Sequence, residues 1–257
     1  MTATALLRTL RSSLREVADS ARAPEMQRYM KSTMPYIGVG AVPFRQVCRE
    51  VYRSVELPDA KAWQTLVLGV WRGAKFREER HAAIELSGDR RARSFQTFDT
   101  LPMYEEMIVT GAWWDFVDGI ASHRLGNLLR AWPVPMRREM LAWSRDADMW
   151  RRRAAILCQL TFKGETDLGL LYACIEPSLD SREFFLRKAI GWALRSYAWT
   201  DPREVERYVR ANERRLSPLS RREALKNVDW PIPSLPSSVR KSSGSGASNA
   251  TRRPVTG

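Results

Sequence analysis

Residues 113–129 read WWDFVDGIASHRLGNLL, and residues 149–160 read MWRRRAAILCQL. In both stretches apolar residues recur at the three- and four-residue spacing of one helix face, which predicts two amphipathic helices. Each face also carries one charged residue, Asp118 in the first stretch and Arg153 in the second. The first face comprises Trp114, Val117, Asp118, Ala121 and Leu125, and the second comprises Trp150, Arg153, Ile156, Leu157 and Leu160.

These two charges lie among apolar side chains, where an unpaired charge costs on the order of several kcal/mol in lost hydration. Asp118 and Arg153 are therefore expected to pair with each other or to meet a charged ligand. Two interpretations stay open: a buried ion pair that ties helical repeats together, or a site in which Asp118 faces positive charge that develops during a reaction. A third helix face adds aromatic surface and consists of Phe185, Ala189, Trp192 and Ser196.

Helical periodicity continues along nearly the whole chain, and no segment alternates with the period of two that marks a β-strand. Paired helical segments follow one another every ~40 residues, which is typical of HEAT and armadillo repeats, although no internal sequence repeat is visible. We therefore predict an all-α fold of tandem HEAT-like helical pairs, forming a curved α-solenoid with a basic concave groove. The first helix is expected to carry Leu6, Leu10, Leu14 and Val17 and to end near Ala23.

The composition changes after Trp230. Residues 231–257 read PIPSLPSSVRKSSGSGASNATRRPVTG, which is rich in Ser, Gly and Pro and contains no acidic residue. Such a segment buries too little apolar surface to offset the entropy lost when it is ordered. The sequence thus predicts one repeat domain over residues 1–230 and a disordered basic tail over residues 231–257.

The chain is strongly basic. Its 257 residues include 42 Lys and Arg against 29 Asp and Glu, a formal net charge of +13. Nucleic acid is therefore the expected partner, ahead of an anionic membrane surface. Arginine runs near helix ends are expected to line up in a stacked array and form a positive stripe for a phosphate backbone. These runs occupy residues 90–91, 137–138, 151–153, 214–215 and 221–222.

Several other classes of protein are excluded by the sequence. Cys48, Cys158 and Cys174 are odd in number and lack CxxC spacing, which argues against a disulfide scaffold and a zinc ribbon. There is no signal-peptide pattern and no apolar run near ~18 residues, so a cytoplasmic protein without a membrane span is expected. His81 and His123 lack metal-ligand spacing and no nucleotide-binding motif is present, so neither a metal nor a cofactor is expected. Any catalysis then falls to side chains on helices, most economically to a carboxylate.

The chain resembles the AlkD family of DNA alkylation-repair glycosylases, which are all-helical proteins of tandem HEAT-like repeats. The resemblance extends over about residues 24–228. It rests on RYMKSTMPYIGVG at 28–40, WWDFVDGIASH at 113–123, MWRRRAAILCQLTFKGETD at 149–167 and SREFFLRKAIGWALRSYAWTDP at 181–202. The last two segments are long and idiosyncratic, so the similarity is specific rather than compositional.

This resemblance implies a role for each residue of the predicted site. The catalytic aspartate of the family corresponds to Asp118 in the WWDxVD motif, and its arginine corresponds to Arg153, three residues after Trp150. Its two aromatic walls correspond to Trp114 and Trp192. The DNA contacts that it implies are Tyr29, Lys31, Arg152, Phe184, Phe185 and Arg195.

Members of that family excise positively charged N3- and N7-alkylated purines from duplex DNA. The resemblance therefore implies a glycosylase that hydrolyses the N-glycosidic bond in base excision repair, with Asp118 stabilising oxocarbenium-like charge and positioning water. It also implies a cytoplasmic, nucleoid-associated monomer without a metal, a cofactor or an obligate protein partner. The loop IGVGAVPF at residues 37–44 lacks the glutamine-type polar residue of the family, which leaves the preferred lesion open.

Two alternatives belong to other functional classes. A non-enzymatic protein that binds DNA structures would use the same scaffold, with Asp118 and Arg153 as an ion pair only. A HEAT-type scaffold for protein partners would need an acidic or apolar partner and leaves the charged pocket unexplained. The joint presence of Trp114, Asp118, Arg153 and Trp192 favours the enzyme.

Overall fold

The computed structural model describes residues 1–228, and every regular element in that part of the chain is helical. The all-α prediction is therefore confirmed, with no strand among the described residues. The predicted tail at residues 231–257 and the boundary before it lie outside them. In chain order the α-helices are α1 Ala3–Glu16, α2 Ala23–Met30, α3 Ala41–Arg53, α4 Ala60–Gly73, α5 Arg77–Ser87, α6 Leu101–Gly111, α7 Trp114–Gly119, α8 Gly126–Ala131, α9 Pro133–Trp143, α10 Met149–Leu157, α11 Leu168–Ile175, α12 Phe184–Ala198, α13 Pro202–Ala211 and α14 Pro218–Ala224.

Consecutive helices pack against one another in a solenoid-like array. Helix α1 packs on α3 and α4, α4 on α5, α8 on α9, α10 on α6, α9 and α12, and α12 on α13 and α14. A buried core runs through these contacts, and its largest side chains include Trp63, Trp71, Tyr104 and Phe116. No helix within residues 1–228 has the length and apolar character that a membrane span requires.

An aspartate fixes the start of α10. Asp148 accepts hydrogen bonds from the backbone amides of Trp150 at 2.8 Å and Arg151 at 3.0 Å. Such a cap satisfies amides that have no partner in the first helical turn. It thereby places Arg153 in the second turn of α10. Aspartates cap α4, α11 and α13 in the same way: Asp59, Asp167 and Asp201.

The stretch at residues 113–129 forms a continuous helical rod that is not uniform. Helix α7 passes into a π-helical turn at Ile120–Leu125, which leads directly into α8. A π turn widens the helix and frequently occurs beside functional sites; this one begins just after Asp118. Gly126 lets the rod approach the end of α10, because a Cβ there would lie 2.8 Å from the carbonyl oxygen of Cys158.

The first helix is shorter than predicted. Helix α1 ends at Glu16, and Val17, expected on its buried face, is 43 % exposed. The chain leaves the helix because the amide of Asp19 donates to the carbonyl oxygen of Gly38 at 3.1 Å. Gly38 has a φ of +98°, and a Cβ there would meet the Asp19 carbonyl oxygen at 2.3 Å. A contact with a distant loop, which periodicity does not reveal, therefore ends α1.

Candidate active site

One cleft gathers the predicted site residues. Its volume is about 700 Å³, and its walls come from α7, α10, α12, α14 and the segment at the end of α2. All the predicted site side chains line it except Arg152. The lining consists of Tyr29, Lys31, Trp113, Trp114, Asp118, Arg153, Phe184, Phe185, Lys188, Trp192, Arg195 and Glu223.

Asp118 and Arg153 form a bidentate ion pair in this cleft. Arg153 donates from Nε to Oδ1 of Asp118 at 2.7 Å and from Nη2 to Oδ2 at 2.8 Å. Its Nη1 donates to the backbone carbonyl oxygen of Phe185, so the guanidinium joins α7 to α12. The two residues are only 8 % and 4 % exposed. The expected pairing is confirmed, and the buried carboxylate also borders the cleft.

The surroundings of Asp118 oppose its ionisation. Burial raises the pKa of Asp118, and the hydrogen bonds and charge of Arg153 offset only part of that rise. The nearby charge of Asp115 raises the pKa further. Each carboxylate oxygen of Asp118 accepts one hydrogen bond from Arg153, although a carboxylate oxygen has room for two. The carboxylate can therefore accept a hydrogen bond or meet a positive charge from the cleft.

Aromatic side chains form much of the lining. The ring of Phe185 lies 5.3 Å from that of Trp113, measured between centroids. Phe184 packs edge-on against Phe185 and is 57 % exposed, so Phe184 is the member of the pair that offers a stacking surface. Trp114 and Trp192 are partly buried against the core and also face the cleft. The cleft thus combines one buried carboxylate with several aromatic faces.

Glu223 organises the basic part of the lining. It is 5 % exposed and pairs with Arg195 at 2.6 Å, Lys188 at 3.2 Å and Lys226 at 2.8 Å. The hydrogen bond from Lys226, aided by Lys188, lowers the pKa of Glu223 to about 2. Helix α14 comes this close because residue 191 of α12 is a glycine. A Cβ at Gly191 would lie only 2.5 Å from the Cβ of Glu223. One carboxylate therefore positions two cations of the cleft, Lys188 and Arg195.

Three lining residues were not among the predicted ones: Trp113, Lys188 and Glu223. Lys188 lies four residues from both Phe184 and Trp192, so helical spacing places it on their face and is the signal that would have found it. Glu223 comes from a different helix, and no spacing relates it to the other site residues. Only the packing of α14 on α12 brings it there.

A second charged cluster shares α7 with the cleft. Asp115 pairs with Arg77 and hydrogen-bonds to Nε2 of His81 at 3.0 Å. The guanidinium of Arg77 lies 4.1 Å from the ring centroid of Phe116. Burial acts to raise the pKa of Asp115, but His81 and Arg77 outweigh it, so the pKa lies below its ordinary value. His81 thus belongs to a specific hydrogen-bonded cluster with Asp115 and Arg77. Within residues 1–228 no group of His, Cys, Asp and Glu side chains is arranged to hold a metal ion.

In each arginine run of the predicted stripe, at least one member is paired with a carboxylate. Arg151, for example, pairs with Glu105 at 2.6 Å and so ties α10 to α6. Arg152, a predicted DNA contact, lies outside the cleft lining, and its Nε is buried with no hydrogen-bond partner among the described residues. Much of the charge in the runs therefore holds helices together.

Comparisons with known proteins agree with this architecture. The model of the family described as DNA alkylation repair enzyme matches residues 10–228. Among solved structures, the chain is similar to one described as a predicted DNA alkylation repair enzyme from Enterococcus faecalis, with a TM-score of 0.74. That similarity has 24 % sequence identity and covers 83 % of this chain and 98 % of the other. No curated protein matches the chain significantly. Because the family model spans most of its length, the chain belongs to the family of DNA alkylation repair enzymes.

Proposed function

We propose that this DNA repair protein is a glycosylase of the AlkD type, built from HEAT-like helical repeats. It hydrolyses the N-glycosidic bond of cationic N3- and N7-alkylated purines in duplex DNA, in base excision repair. The observation that carries this proposal is the carboxylate of Asp118, oriented by Nε and Nη2 of Arg153 inside an aromatic cleft.

The chemistry of a cationic base matches a site with one carboxylate. Alkylation at N3 or N7 leaves the purine positively charged, so the base departs as a neutral molecule and needs no general acid. As the bond from C1′ to the base breaks, positive charge moves onto the deoxyribose. The remaining barrier is therefore the formation of this oxocarbenium-like charge, after which water attacks C1′ and its proton passes to the solvent.

Asp118 lowers that barrier by placing a negative charge near the sugar. A unit pair about 4 Å apart is worth ~4 kcal/mol at an effective dielectric constant of 20. Because ~1.4 kcal/mol corresponds to a tenfold rate change, a preorganised carboxylate accounts for a factor of roughly 10² to 10³. Arg153 holds both oxygens of Asp118 in place before reaction, and the unused acceptor positions on those oxygens can orient the attacking water.

The aromatic and basic side chains of the cleft position the lesion. Trp114 and Trp192 offer ring faces that attract a cationic base or a developing sugar cation. Tyr29 is 76 % exposed at the cleft, and Lys31 and Arg195 supply positive charge for the phosphates. Phosphate contacts of this kind hold the backbone in register, so that the sugar of the lesion lies against Asp118.

A direct test is the release of 7-methylguanine from methylated duplex DNA by the purified full chain, followed by chromatography of the free base. Base release above the spontaneous rate is the expected result. DNA binding without any release would contradict the proposal and favour a non-enzymatic DNA-binding protein. The burial of both Asp118 and Arg153 is the observation behind that second candidate, since a structural ion pair is buried as well.

A further inference from the structure

Two adjoining recesses lie apart from the cleft. Their volumes are about 550 and 430 Å³, and they share the segment formed by Gly88, Asp89 and Arg90. The first recess is bordered by α3 from Arg45 to Arg53, and the second by α8. None of the residues that line either recess also lines the cleft.

The recesses hold an unusual group of free arginines. Arg45, Arg49 and Arg53 follow one face of α3 at four-residue spacing, and Arg90 and Arg93 lie on the connection from α5 to α6. All five are exposed, and none makes a side-chain hydrogen bond or an ion pair within residues 1–228. We call them the arginine ladder. They differ in this respect from the paired arginines described above.

Nearby carboxylates do not neutralise the ladder. Glu85 and Asp89 are the only acidic residues in the two linings. Asp89 is already bound by Arg91, with Nη2 to Oδ2 at 2.7 Å and Nε to Oδ1 at 3.0 Å. Within the two linings, five unpaired guanidinium groups therefore stand against one carboxylate without an ion pair among the described residues, Glu85, so the surface attracts anions.

Two further arginines build the scaffold under the ladder. Arg91 donates to the carbonyl oxygens of Val55 at 2.8 Å and Tyr52 at 2.9 Å, which ties the connection after α5 to the end of α3. Arg124 donates to the carbonyl oxygen of Ile84 at 2.9 Å. Gly88 leaves room for this arginine, because a Cβ on Gly88 would lie 2.1 Å from the guanidinium of Arg124. The paired arginines thus set the framework, and the unpaired ones project from it.

The spacing of the ladder suits a duplex. Residues four apart on a helix are ~6 Å apart along its axis, close to the rise of two base pairs, ~6.8 Å. The rod from α7 to α8 links the two surfaces, since Trp114 lines the cleft and Asn127 lines the second recess.

We propose that the arginine ladder is a second DNA-backbone surface, which holds the duplex outside the stretch whose base lies in the cleft. This inference rests on the proposed function in one respect, that duplex DNA is the substrate. It assigns a role to Arg45, Arg49 and Arg53 that the chemistry at Asp118 does not require.

The test compares the wild type with the triple variant Arg45→Gln, Arg49→Gln and Arg53→Gln in the full chain. For each protein, the affinity for duplexes of two different lengths is measured. Fluorescence anisotropy measures binding to unmodified duplexes whose ends lie either about 3 or about 12 base pairs from the centre, over a range of salt concentrations. On the long duplex, affinity should fall at least about tenfold, and the slope of log K against log salt should become shallower by about 2.7. On the short duplex, the variant should bind like the wild type.

A matched control removes the same charge elsewhere. Arg207, Arg210 and Arg215 are exposed and ion-paired, with Glu204 at 2.6 Å, Glu206 at 2.5 Å and Asp180 at 2.9 Å. When all three are replaced by Gln, the dependence of DNA affinity on duplex length should stay as in the wild type. Equal weakening by both triple variants, or a ladder variant that binds the long duplex like the wild type, would overturn the proposal.

Two measurements separate the possible failures. The double variant Arg90→Gln and Arg93→Gln repeats the test outside α3, with an expected slope change of about 1.8, and thermal melting shows that each variant is folded. Release of 7-methylguanine from a short methylated duplex tests the glycosylase independently. If release occurs and the ladder has no effect at any length, only the second surface is wrong; if the wild type binds no duplex, both proposals fail.

Discussion

Asp115 and Asp118 lie one helical turn apart on α7, and each is paired with a buried arginine. Their side chains are equally exposed, at 11 % each, and their partners Arg77 and Arg153 are similar, at 6 % and 5 %. By burial and by partner the two carboxylates are nearly identical. Their pKa values nevertheless shift in opposite directions, downward for Asp115 and upward for Asp118.

The number of donors explains the difference. Asp115 accepts hydrogen bonds from Arg77, from His81 and from the amide of Phe116 at 3.0 Å, and His81 and Arg77 outweigh the effect of burial on its pKa. Asp118 has only Arg153, and Asp115 adds a like charge, so burial prevails. A second difference is that Asp118 borders the cleft and Asp115 does not.

This contrast separates a charge that stabilises the fold from one that the fold opposes. A carboxylate whose pKa is lowered in the folded state stabilises the fold through its charge, and one whose pKa is raised is charged at a cost in stability. The charge of Asp115 therefore stabilises the fold, and Asp118 is charged at a cost in stability. An ionised group that the fold itself disfavours, placed at a cleft, is the arrangement expected of a residue retained for function.

The largest expected effect is on base release. Replacement Asp118→Asn should lower the single-turnover rate on methylated duplex DNA by about 10²- to 10³-fold, because it removes the charge that stabilises the sugar cation. DNA affinity should be unchanged or higher, since a negative charge near the phosphates is lost. The matched control is Asp115→Asn, which should retain release close to the wild-type rate when folded. Wild-type turnover by Asp118→Asn would contradict the catalytic role.

The second effect is on stability, where Asp115→Asn should have a larger effect than Asp118→Asn. Asp115→Asn should lower the free energy of unfolding by about 3–5 kcal/mol, because it leaves Arg77 buried without its charged partner. Asp118→Asn should lower it less, because the fold opposes the charge of Asp118 and Arg153 keeps its bond to the Phe185 carbonyl oxygen. Urea denaturation of both variants measures these values. Equal losses would mean that Asp118 is as structural as Asp115.

The third effect is the pH dependence of that stability. The lowered pKa of Asp115 contributes stability above the ordinary value of 3.8, and this contribution is lost as the pH falls through the folded-state pKa. The advantage of the wild type over Asp115→Asn should therefore shrink in acid. For Asp118 the sign is reversed, because a raised pKa favours the folded state once the group is protonated. As the pH falls, the free energy of unfolding of the wild type should therefore rise relative to that of Asp118→Asn. Denaturation curves recorded from about pH 7 to 3 measure this difference. If the difference in the free energy of unfolding between wild type and variant shrinks in acid for both variants, Asp115 and Asp118 contribute to stability in the same way.

The smallest effect concerns His81, one donor to Asp115. His81→Gln should cost about 1 kcal/mol in the free energy of unfolding, the usual net value of one hydrogen bond. Base release should stay at the wild-type rate, because His81 does not line the cleft. Slower release by a variant of normal stability would show that the two clusters on α7 act together.

Much of the fold followed from local periodicity. Apolar spacing predicted the helices, and the charges on the apolar faces predicted that Asp118 and Arg153 would pair with each other or meet a charged ligand, of which the structure shows the first. The departures came from contacts between distant segments: Asp19 bonds to Gly38 and ends α1 before Val17, and the rod after Asp118 adopts a π turn.

The sequence by itself determined the helical architecture and the need of Asp118 and Arg153 for a charged partner, because periodicity and the cost of an unpaired buried charge act through residue type and spacing alone. Only the tertiary structure decided which charges are paired and which are free. Glu223 reaches Arg195 across 28 residues and His81 reaches Asp115 across 34, over separations at which sequence spacing carries no information about distance. For the same reason, residues of one type acquired different roles: Arg91 is bound within the framework, while its neighbour Arg90 remains free at the surface.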